Sequence, residues 1–243
     1  MFQRVLDPLL STVYPQTCYV CSGIVDHHAD GIACDDCWSS TQIFDASTTL
    51  CKKCGAVAKD GRLNRSNRCG QCNDGQYDAA FACGVYEKAL AATVIRLKKE
   101  PYLPRRAKNM LRELTRNFAP VENGVVIAVP LSKKRRFERG HNQAEVIGQI
   151  ISKHAELPFF SNALQRTDKS PMHRVGMDKK AREATVKNSF VVAAPRLVDG
   201  KDVILVDDVF TSGSTASFCA NVLKKNGAAS VKVITLARAV MYS

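Results

Sequence analysis

Four Cys-x-x-Cys pairs in the first third of the chain constrain its fold more than any other feature of the sequence. Each pair places two thiolates on one side of a tight loop, and two such loops complete a tetrahedral site for one zinc ion. Pairing neighbouring loops leaves 12 residues inside the first site and 14 inside the second, the length of a short hairpin. The spacing predicts two structural zinc ions in a double zinc ribbon, held by Cys18, Cys21, Cys34, Cys37, Cys51, Cys54, Cys69 and Cys72.

Other uses of these cysteines stay open. A single ion, or a pairing that crosses between the two ribbons, would also satisfy tetrahedral sulfur ligation. A disulfide framework is disfavoured because nothing in the sequence indicates export, and cytosolic thiols stay reduced. A redox role for one pair fits the regular repetition of four pairs poorly. The remaining thiols, Cys83 and Cys219, stand alone, and we expect Cys219 to be a buried small hydrophobe within a helix.

All of the excess positive charge lies outside this cysteine-rich segment. The whole chain carries +12, but residues 1–80 hold seven Lys and Arg against nine Asp and Glu, a net charge of −2, so residues 81–243 carry +14. A basic domain favours phosphorylated metabolites or nucleic acid as partners, although a solvated basic surface without a partner would look the same. We therefore expect a zinc-ribbon domain over 1–80 and a separate basic domain over 81–243.

The basic domain shows alternating strands and helices. Its strands are short and wholly apolar, as in a parallel sheet that helices cover on both faces. No segment has the roughly 18–20 uninterrupted apolar residues of a membrane span, so we expect a cytosolic protein without membrane insertion. The polar residues 167–189 predict a mobile loop that ends in a short helix. The predicted strands are 125–129, 203–206 and 231–236, and the predicted helices are 86–99, 104–118, 142–154 and 215–225.

One segment of the basic domain, Val203–Thr215 (VILVDDVFTSGST), carries the chemistry. Its apolar strand ends at a sheet edge, where ligands bind in open α/β folds. The small and hydroxylated residues that follow suit a phosphate group at a helix N-terminus, whereas the acidic pair Asp207 and Asp208 suits hydroxyl groups or a metal ion. A sugar phosphate meets both demands, although a Thr-Ser-Gly loop alone would fit an ordinary capped turn. The candidate phosphate ligands are Thr211, Ser212, Gly213, Ser214 and Thr215.

A second basic element follows the strand at 125–129. The turn Pro130-Leu-Ser leads into four consecutive cations, at the position where a pyrophosphate loop is expected. A solvated basic face is the alternative. We predict that Leu131, Ser132 and Lys133 contact pyrophosphate, and that nucleic acid contacts Lys134, Arg135, Arg136 and Arg139.

The string Val203–Thr215 resembles the phosphoribosyl-pyrophosphate (PRPP) signature of type I phosphoribosyltransferases. That resemblance implies a phosphoribosyltransferase-like α/β sheet in which Asp207 and Asp208 hold the ribose 2′ and 3′ hydroxyls. It also implies that residues 211–215 bind the 5′-phosphate and that Mg²⁺ bridges pyrophosphate and ribose oxygens. The sequences Val129-Pro-Leu-Ser and Arg139-Gly-His-Asn-Gln, together with the zinc ribbon, narrow the resemblance to the ComF family of competence proteins.

The ComF resemblance implies a cytosolic protein that supports natural transformation by handling imported single-stranded DNA. Two further hypotheses use the same domains. The chain could be an active phosphoribosyltransferase on an unidentified small-molecule acceptor, or a zinc-ribbon adaptor that docks to a helicase-like or channel component of DNA uptake. His141 stands where the family usually has Phe, and neither an acceptor pocket nor a catalytic base is evident from the sequence.

Overall fold

A computed structural model describes most of the chain. It covers residues 14–25, 27, 31–58, 63–69, 72, 75–117, 123–167 and 189–240. The strands are β1 (Ala79–Val85), β2 (Gly124–Ala128), β3 (Leu164–Arg166), β4 (Phe190–Val192), β5 (Asp202–Phe210) and β6 (Ser230–Arg238). The helices are α1 (Asp35–Ser39), α2 (Lys88–Leu97), α3 (Arg105–Arg116), α4 (Lys133–Arg139), α5 (Gln143–Ala155) and α6 (Ser214–Lys225).

The centre of the molecule is a parallel sheet of four strands in the order β1-β6-β5-β2. All five residues of β2 and four consecutive residues of β5, from Val203 to Val206, are buried, as expected for strands covered on both faces. Helices α2, α3 and α5 contribute to the buried cluster on one face. Helix α6 and the antiparallel pair β3–β4 contribute to the cluster on the other. The predicted α/β architecture with helices on both faces is confirmed.

The observed elements extend the predicted ones in two places. Strand β5 continues past Val206 to Phe210, because β6 runs on beside it and pairs with Asp207, Val209 and Phe210. Helix α4 occupies the basic segment for which the sequence predicts only a turn and a loop. The remaining predicted helices and strands agree with the structure to within two residues at each end. The predicted mobile loop at 167–189 lies almost entirely outside the described residues.

The two cysteine-rich segments pack against opposite faces of the sheet. Cys34 and Trp38 belong to the buried cluster that contains α2, whereas Cys54 and Tyr77 belong to the cluster that contains α6. The first segment also caps α2, because the Thr41 hydroxyl accepts a hydrogen bond from the N–H of Ala89 over 3.2 Å. The predicted division of the chain at residue 80 stays a prediction. Among the described helices, none has the length and apolar character needed to cross a membrane.

Candidate functional site

The two segments predicted to hold the ligand leave the sheet side by side. Strands β2 and β5 are hydrogen-bonded neighbours, with Ala128 opposite Val206. The N–H of Val129 donates to the carbonyl of Val206 over 2.8 Å, so the strands reach the same edge together. Asp207 therefore lies beside the residues at which the chain leaves β2 and turns toward α4. The parallel sheet brings the acidic pair and the predicted pyrophosphate segment to one carboxyl edge.

The acidic pair lies within β5 rather than in a loop after it. Both residues are half-buried, and the Asp207 carboxylate accepts a hydrogen bond from the N–H of Asp208 over 2.9 Å. Burial and the neighbouring Asp208 carboxylate raise the pKa of Asp207 to about 7, an effect that Lys98 partly offsets. Strand geometry points neighbouring side chains to opposite faces, so only one side chain of the pair can lie on each face of the sheet.

The predicted phosphate loop is a three-residue turn, Thr211 to Gly213, that opens α6. Gly213 caps the helix with φ of 76°, and a Cβ atom at this position would lie 2.6 Å from the Phe210 ring. Both facts require glycine here. The Ser212 hydroxyl lies 2.9 Å from that of Ser214 and accepts a hydrogen bond from the Ser214 N–H over 3.4 Å. Ser214 and Thr215 are the first two residues of the helix, where N–H groups favour an anion.

A small open hollow of about 30 Å³ lies between Asp207 and the loop. Asp207, Thr211, Gly213 and Thr215 line it, so the structure brings together these four predicted ligands. Thr235 of β6 also lines the hollow, which the sequence did not indicate. The hollow thus offers a carboxylate on one side and hydroxyl and backbone N–H donors on the other, the pattern that a sugar phosphate requires.

Three contacting side chains pack against the loop from Thr211 to Gly213. The rings of Tyr77 and Phe210 meet edge to face with centroids 5.5 Å apart, and the Arg238 guanidinium lies 4.7 Å from the Phe210 centroid. The N–H of Gln76 also donates to the hydroxyl of Ser217 in α6 over 3.0 Å. Sequence reasoning missed Tyr77 and Arg238 as parts of the site. Their local sequence does not indicate this role, because Tyr77 precedes β1 and Arg238 ends β6, and the two reach the Phe210 ring from distant parts of the chain.

The predicted pyrophosphate segment continues into α4. Leu131 and Ser132 are half-buried, and the Ser132 hydroxyl caps α4 by accepting from the Arg135 N–H over 3.4 Å. Lys133 is the first helical residue and is exposed. Asn142, the N-cap residue of α5, ties that helix to the end of β2, because its side-chain amide donates to the carbonyl of Val129 over 3.0 Å.

His141 holds the end of α4 in place. One ring nitrogen lies 2.9 Å from the carbonyl oxygen of Arg139, and the other lies 2.7 Å from that of Leu97 at the end of α2. Both nitrogens are therefore engaged by the backbone, which gives the ring a structural role between two helix ends.

The eight paired cysteines form two tetrads, each of two neighbouring Cys-x-x-Cys loops. The four sulfur atoms of each tetrad lie within 4.8 Å of one another. Four sulfurs around zinc at about 2.3 Å would be about 3.8 Å apart, so both tetrads fit a zinc ion. The structure excludes a pairing that crosses between the ribbons. Individual sulfur separations are 3.7 Å for Cys21–Cys34, 3.6 Å for Cys51–Cys72 and 3.5 Å for Cys54–Cys69.

One thiol in each tetrad has a pKa below that of an ordinary cysteine. Burial opposes ionisation of Cys18, but hydrogen bonds from backbone N–H groups lower its pKa to about 6. The same balance lowers the pKa of Cys51 to about 6. Burial raises the pKa of Cys37 and Cys72. Zinc would displace the protons from the remaining thiols when it binds. The two unpaired cysteines, Cys83 and Cys219, are both buried, as predicted for Cys219.

Comparisons with known proteins match two parts of the chain to two domain families. The family model of the double zinc ribbon domain matches residues 9–73, and that of the phosphoribosyl transferase domain matches residues 105–240. Competence protein F of Haemophilus influenzae is 28% identical over 231 residues, which span 91% of this chain and 96% of that protein.

Two further relatives match the chain at similar identity, one over most of its length and one over about half. DNA utilization protein YhgH of Escherichia coli K12 is 28% identical over 234 residues, spanning 92% of this chain and 97% of that protein. Competence protein ComFC of Bacillus subtilis is 31% identical over 120 residues, which span 49% of this chain and 46% of that protein. The predicted ComF resemblance is confirmed as homology over most of the chain.

Proposed function

Because the chain belongs to the phosphoribosyl transferase domain family and carries a double zinc ribbon ahead of that domain, we propose that it binds PRPP at the edge formed by β5 and β2. We further propose that it uses this site in handling imported single-stranded DNA during natural transformation. Homology to competence protein F supports a competence-related role. The observation that carries the PRPP proposal is the hollow that Asp207 shares with Thr211, Gly213 and Thr215.

Each part of PRPP has a matching group at this edge. The carboxylate of Asp207 accepts a hydrogen bond from a ribose hydroxyl in the hollow, whereas Asp208, whose side chain leaves β5 on the opposite face, reaches the other hydroxyl only around the edge of the sheet. Residues 211–215 bind the 5′-phosphate through hydroxyl groups and the N–H groups that begin α6. Leu131, Ser132 and Lys133 bind the pyrophosphate through backbone donors and one ammonium group. The parallel neighbours β5 and β2 supply the two halves of this arrangement at adjacent positions.

The donor set also fits Mg²⁺. This ion prefers carboxylate, phosphate and water oxygens, and it is commonly held by one or two carboxylates together with substrate phosphates. When bound with PRPP it would neutralise part of the charge on the pyrophosphate. The chain itself positions the ribose, holds the phosphate and places Lys133 near the end of β2.

Turnover is the second candidate function, favoured by the match to a transferase domain. A nucleophile would attack the anomeric carbon of PRPP, the bond from that carbon to the pyrophosphate oxygen would break, and pyrophosphate would leave with the electron pair. Release of pyrophosphate in the presence of the protein and candidate acceptors measures this activity directly.

The adaptor hypothesis has one observation in its favour. The first zinc loop exposes Tyr19, Val20 and Ile24, with Ile24 70% exposed. Apolar side chains clustered at the tip of a small module suit contact with another protein, such as a helicase-like or channel component of DNA uptake. Val20→Ser and Ile24→Ser should abolish such a contact while leaving the packing of the ribbon against the sheet in place.

Calorimetric titration with PRPP and Mg²⁺ tests the PRPP proposal. Wild type should bind saturably, and the double variant Asp207→Asn/Asp208→Asn should not. Glu113→Gln, which removes an exposed carboxylate from α3, is the control and should bind PRPP as wild type does. Binding by the double variant at wild-type affinity would refute the assignment of the acidic pair. No binding by zinc-loaded wild type would refute the PRPP proposal itself.

Natural transformation in the source organism tests the second half of the proposal. Deletion of the gene should lower transformation frequency, and wild type should restore it. If Asp207→Asn/Asp208→Asn restores it equally, the competence role does not depend on PRPP. No change on deletion would refute the competence role.

A further inference from the structure

The cations of α4 divide into two groups. Arg136 forms an ion pair with Glu145 of α5, and Arg139 donates to the side-chain oxygen of Gln143 over 2.8 Å. These two interactions fasten α4 to the following helix. Lys134 differs, because its side chain is 85% exposed and reaches Glu138 only at 3.9 Å. Of the four cations predicted to bind nucleic acid, two therefore hold the helix, while Lys134 and Arg135 face solvent as exposed residues.

Phe137 lies in the same helix and does not contribute to the core. It is 92% exposed, the highest value among the large exposed hydrophobics of the described residues. Helix α4 buries none of its residues, so no packing requirement explains an aromatic ring there. Apolar side chains in water are unfavourable unless something else covers them, and an aromatic ring on a cationic helix suits a partner with flat faces and negative charge.

Helical spacing places this ring beside exposed cations. Residues three and four positions apart share one face of a helix, so Lys133 and Lys134 lie on the same face as Phe137. The basic stretch continues beyond the helix. His141 contacts the carbonyl of Leu97, and the residue after Leu97 is Lys98, whose charge reaches Asp207. The aromatic ring thus lies beside two exposed cations, and the end of its helix contacts the residue that precedes Lys98.

We propose that Phe137 is a stacking platform for a base of single-stranded nucleic acid, and that Lys134, on the same face of α4, contacts a flanking phosphate. Every nucleobase has a flat face, so stacking is tolerant of sequence, and the phosphates supply the charge that the cations match. Arg136 and Arg139 act as positioning residues that hold α4. This inference rests on the proposed function, since it names the surface by which imported DNA is held.

The chemistry favours single strands over duplexes. In a duplex the base faces are stacked on one another, and an exposed side chain on a helix surface cannot reach them without unstacking the pair. An abasic strand carries the phosphates without the bases. Comparison of these ligands therefore separates the ring from the cations.

Fluorescence anisotropy with labelled oligonucleotides of one length tests the proposal on the full-length, zinc-loaded chain. Phe137→Ala should weaken binding of a single strand roughly five- to a hundredfold, the range expected when one base is no longer stacked, and Phe137→Trp should restore it. Binding of the abasic strand should change little. Lys134→Ala should instead weaken the binding of both the normal and the abasic strand, and it should reduce the slope of log affinity against log salt concentration by about 0.7 for the one phosphate that is no longer neutralised. Ile95→Ala, at a half-exposed position of α2, is the matched control and should have no effect.

The outcomes separate the inference from the function on which it rests. If wild type binds single strands and Phe137→Ala binds them equally well, the stacking platform is refuted and the DNA-handling proposal stands. Equal losses of affinity for abasic and normal strands would also refute stacking. If wild type binds no single strand, both fail, while PRPP titration still reports on the PRPP site. An RNA strand of the same sequence distinguishes RNA from DNA as the partner, and thermal melting confirms that each variant folds.

Discussion

The guanidinium group of Arg238 joins the second cysteine tetrad to the phosphate loop, because it donates to both the main-chain carbonyl and the sulfur of Cys54. The same group lies over the ring of Phe210, which in turn lies within 2.6 Å of where a side chain at Gly213 would begin. A metal site and a ligand loop far apart in sequence are therefore connected by one side chain. The ribbon contributes to the candidate site rather than only preceding it.

Replacing Arg238 with Met should weaken PRPP binding, since it keeps most of the length of the side chain but removes the charge. We expect affinity to fall about 5- to 30-fold, the equivalent of a partly desolvated cation–π interaction of about 1–2 kcal/mol. Calorimetric titration with PRPP measures it. Lys232→Met, on the same strand, is the control and should bind normally. Equal affinities for the two variants would contradict a role for Arg238 in holding the loop.

Replacing Gly213 with Ala should destabilise the protein more than the same change at Gly200. Both glycines have positive φ, 76° and 65°, so both substitutions incur a backbone cost of about 1–2 kcal/mol. At Gly213 the new methyl group would also meet Phe210, whereas at Gly200 nothing lies within 4 Å. Urea unfolding at equilibrium gives the difference. A Gly213→Ala variant that is as stable as Gly200→Ala would show that the ring moves aside freely.

The stability of the ligand-free protein should depend on pH through Asp207. Its pKa in the folded state is about 7, against 3.8 for an ordinary aspartate, so the folded state binds the proton more tightly than the unfolded state. Stability that this group contributes in acid is therefore lost as the pH rises toward 7. We expect the melting temperature of Asp207→Asn to exceed that of wild type by more at about pH 8 than at about pH 5.5.

Asp208→Asn provides the check on the cause of this pH dependence. Removing the neighbouring charge lowers the pKa of Asp207, so this variant should show a smaller pH dependence than wild type. Differential scanning fluorimetry across the range is sufficient. Parallel plots of melting temperature against pH for wild type and Asp207→Asn would show that the carboxyl ionises normally in the folded protein.

The sequence predicted those parts of the site that are local in the chain. Strand β5, the acidic pair and the loop from Thr211 to Thr215 are consecutive, so one segment specifies them all. The cysteine tetrads were predictable for the same reason, because ligand spacing in each loop is a local property. The choice between adjacent and crossed tetrads was not local, and only the structure decided it.

The parts that were missed depend on contacts between distant segments or on surfaces without a periodic pattern. Tyr77 and Arg238 are 161 residues apart in the chain, and each contacts the ring of Phe210 at the end of β5. Helix α4 buries nothing, so it has no apolar stripe by which its helical period could be read. Phe137 stands out in the sequence as one of the few aromatic residues near the basic segments, but only the structure shows that its ring is exposed.

Loss of one zinc site should affect PRPP binding only if it is the second site. Cys18→Ser and Cys51→Ser each remove one sulfur ligand, so each variant should hold one zinc ion fewer than the two of wild type, as elemental analysis would show. Only the second tetrad contains Cys54, to which Arg238 is bonded, and only the second packs with Tyr77 against α6. We therefore expect Cys51→Ser to weaken PRPP binding roughly tenfold, as when Arg238 no longer supports the Phe210 ring, and Cys18→Ser to bind PRPP as wild type does. Equal losses of affinity in both variants would mean that the ribbon acts through overall stability, whereas normal binding by Cys51→Ser would mean that the Arg238 connection transmits nothing to the loop.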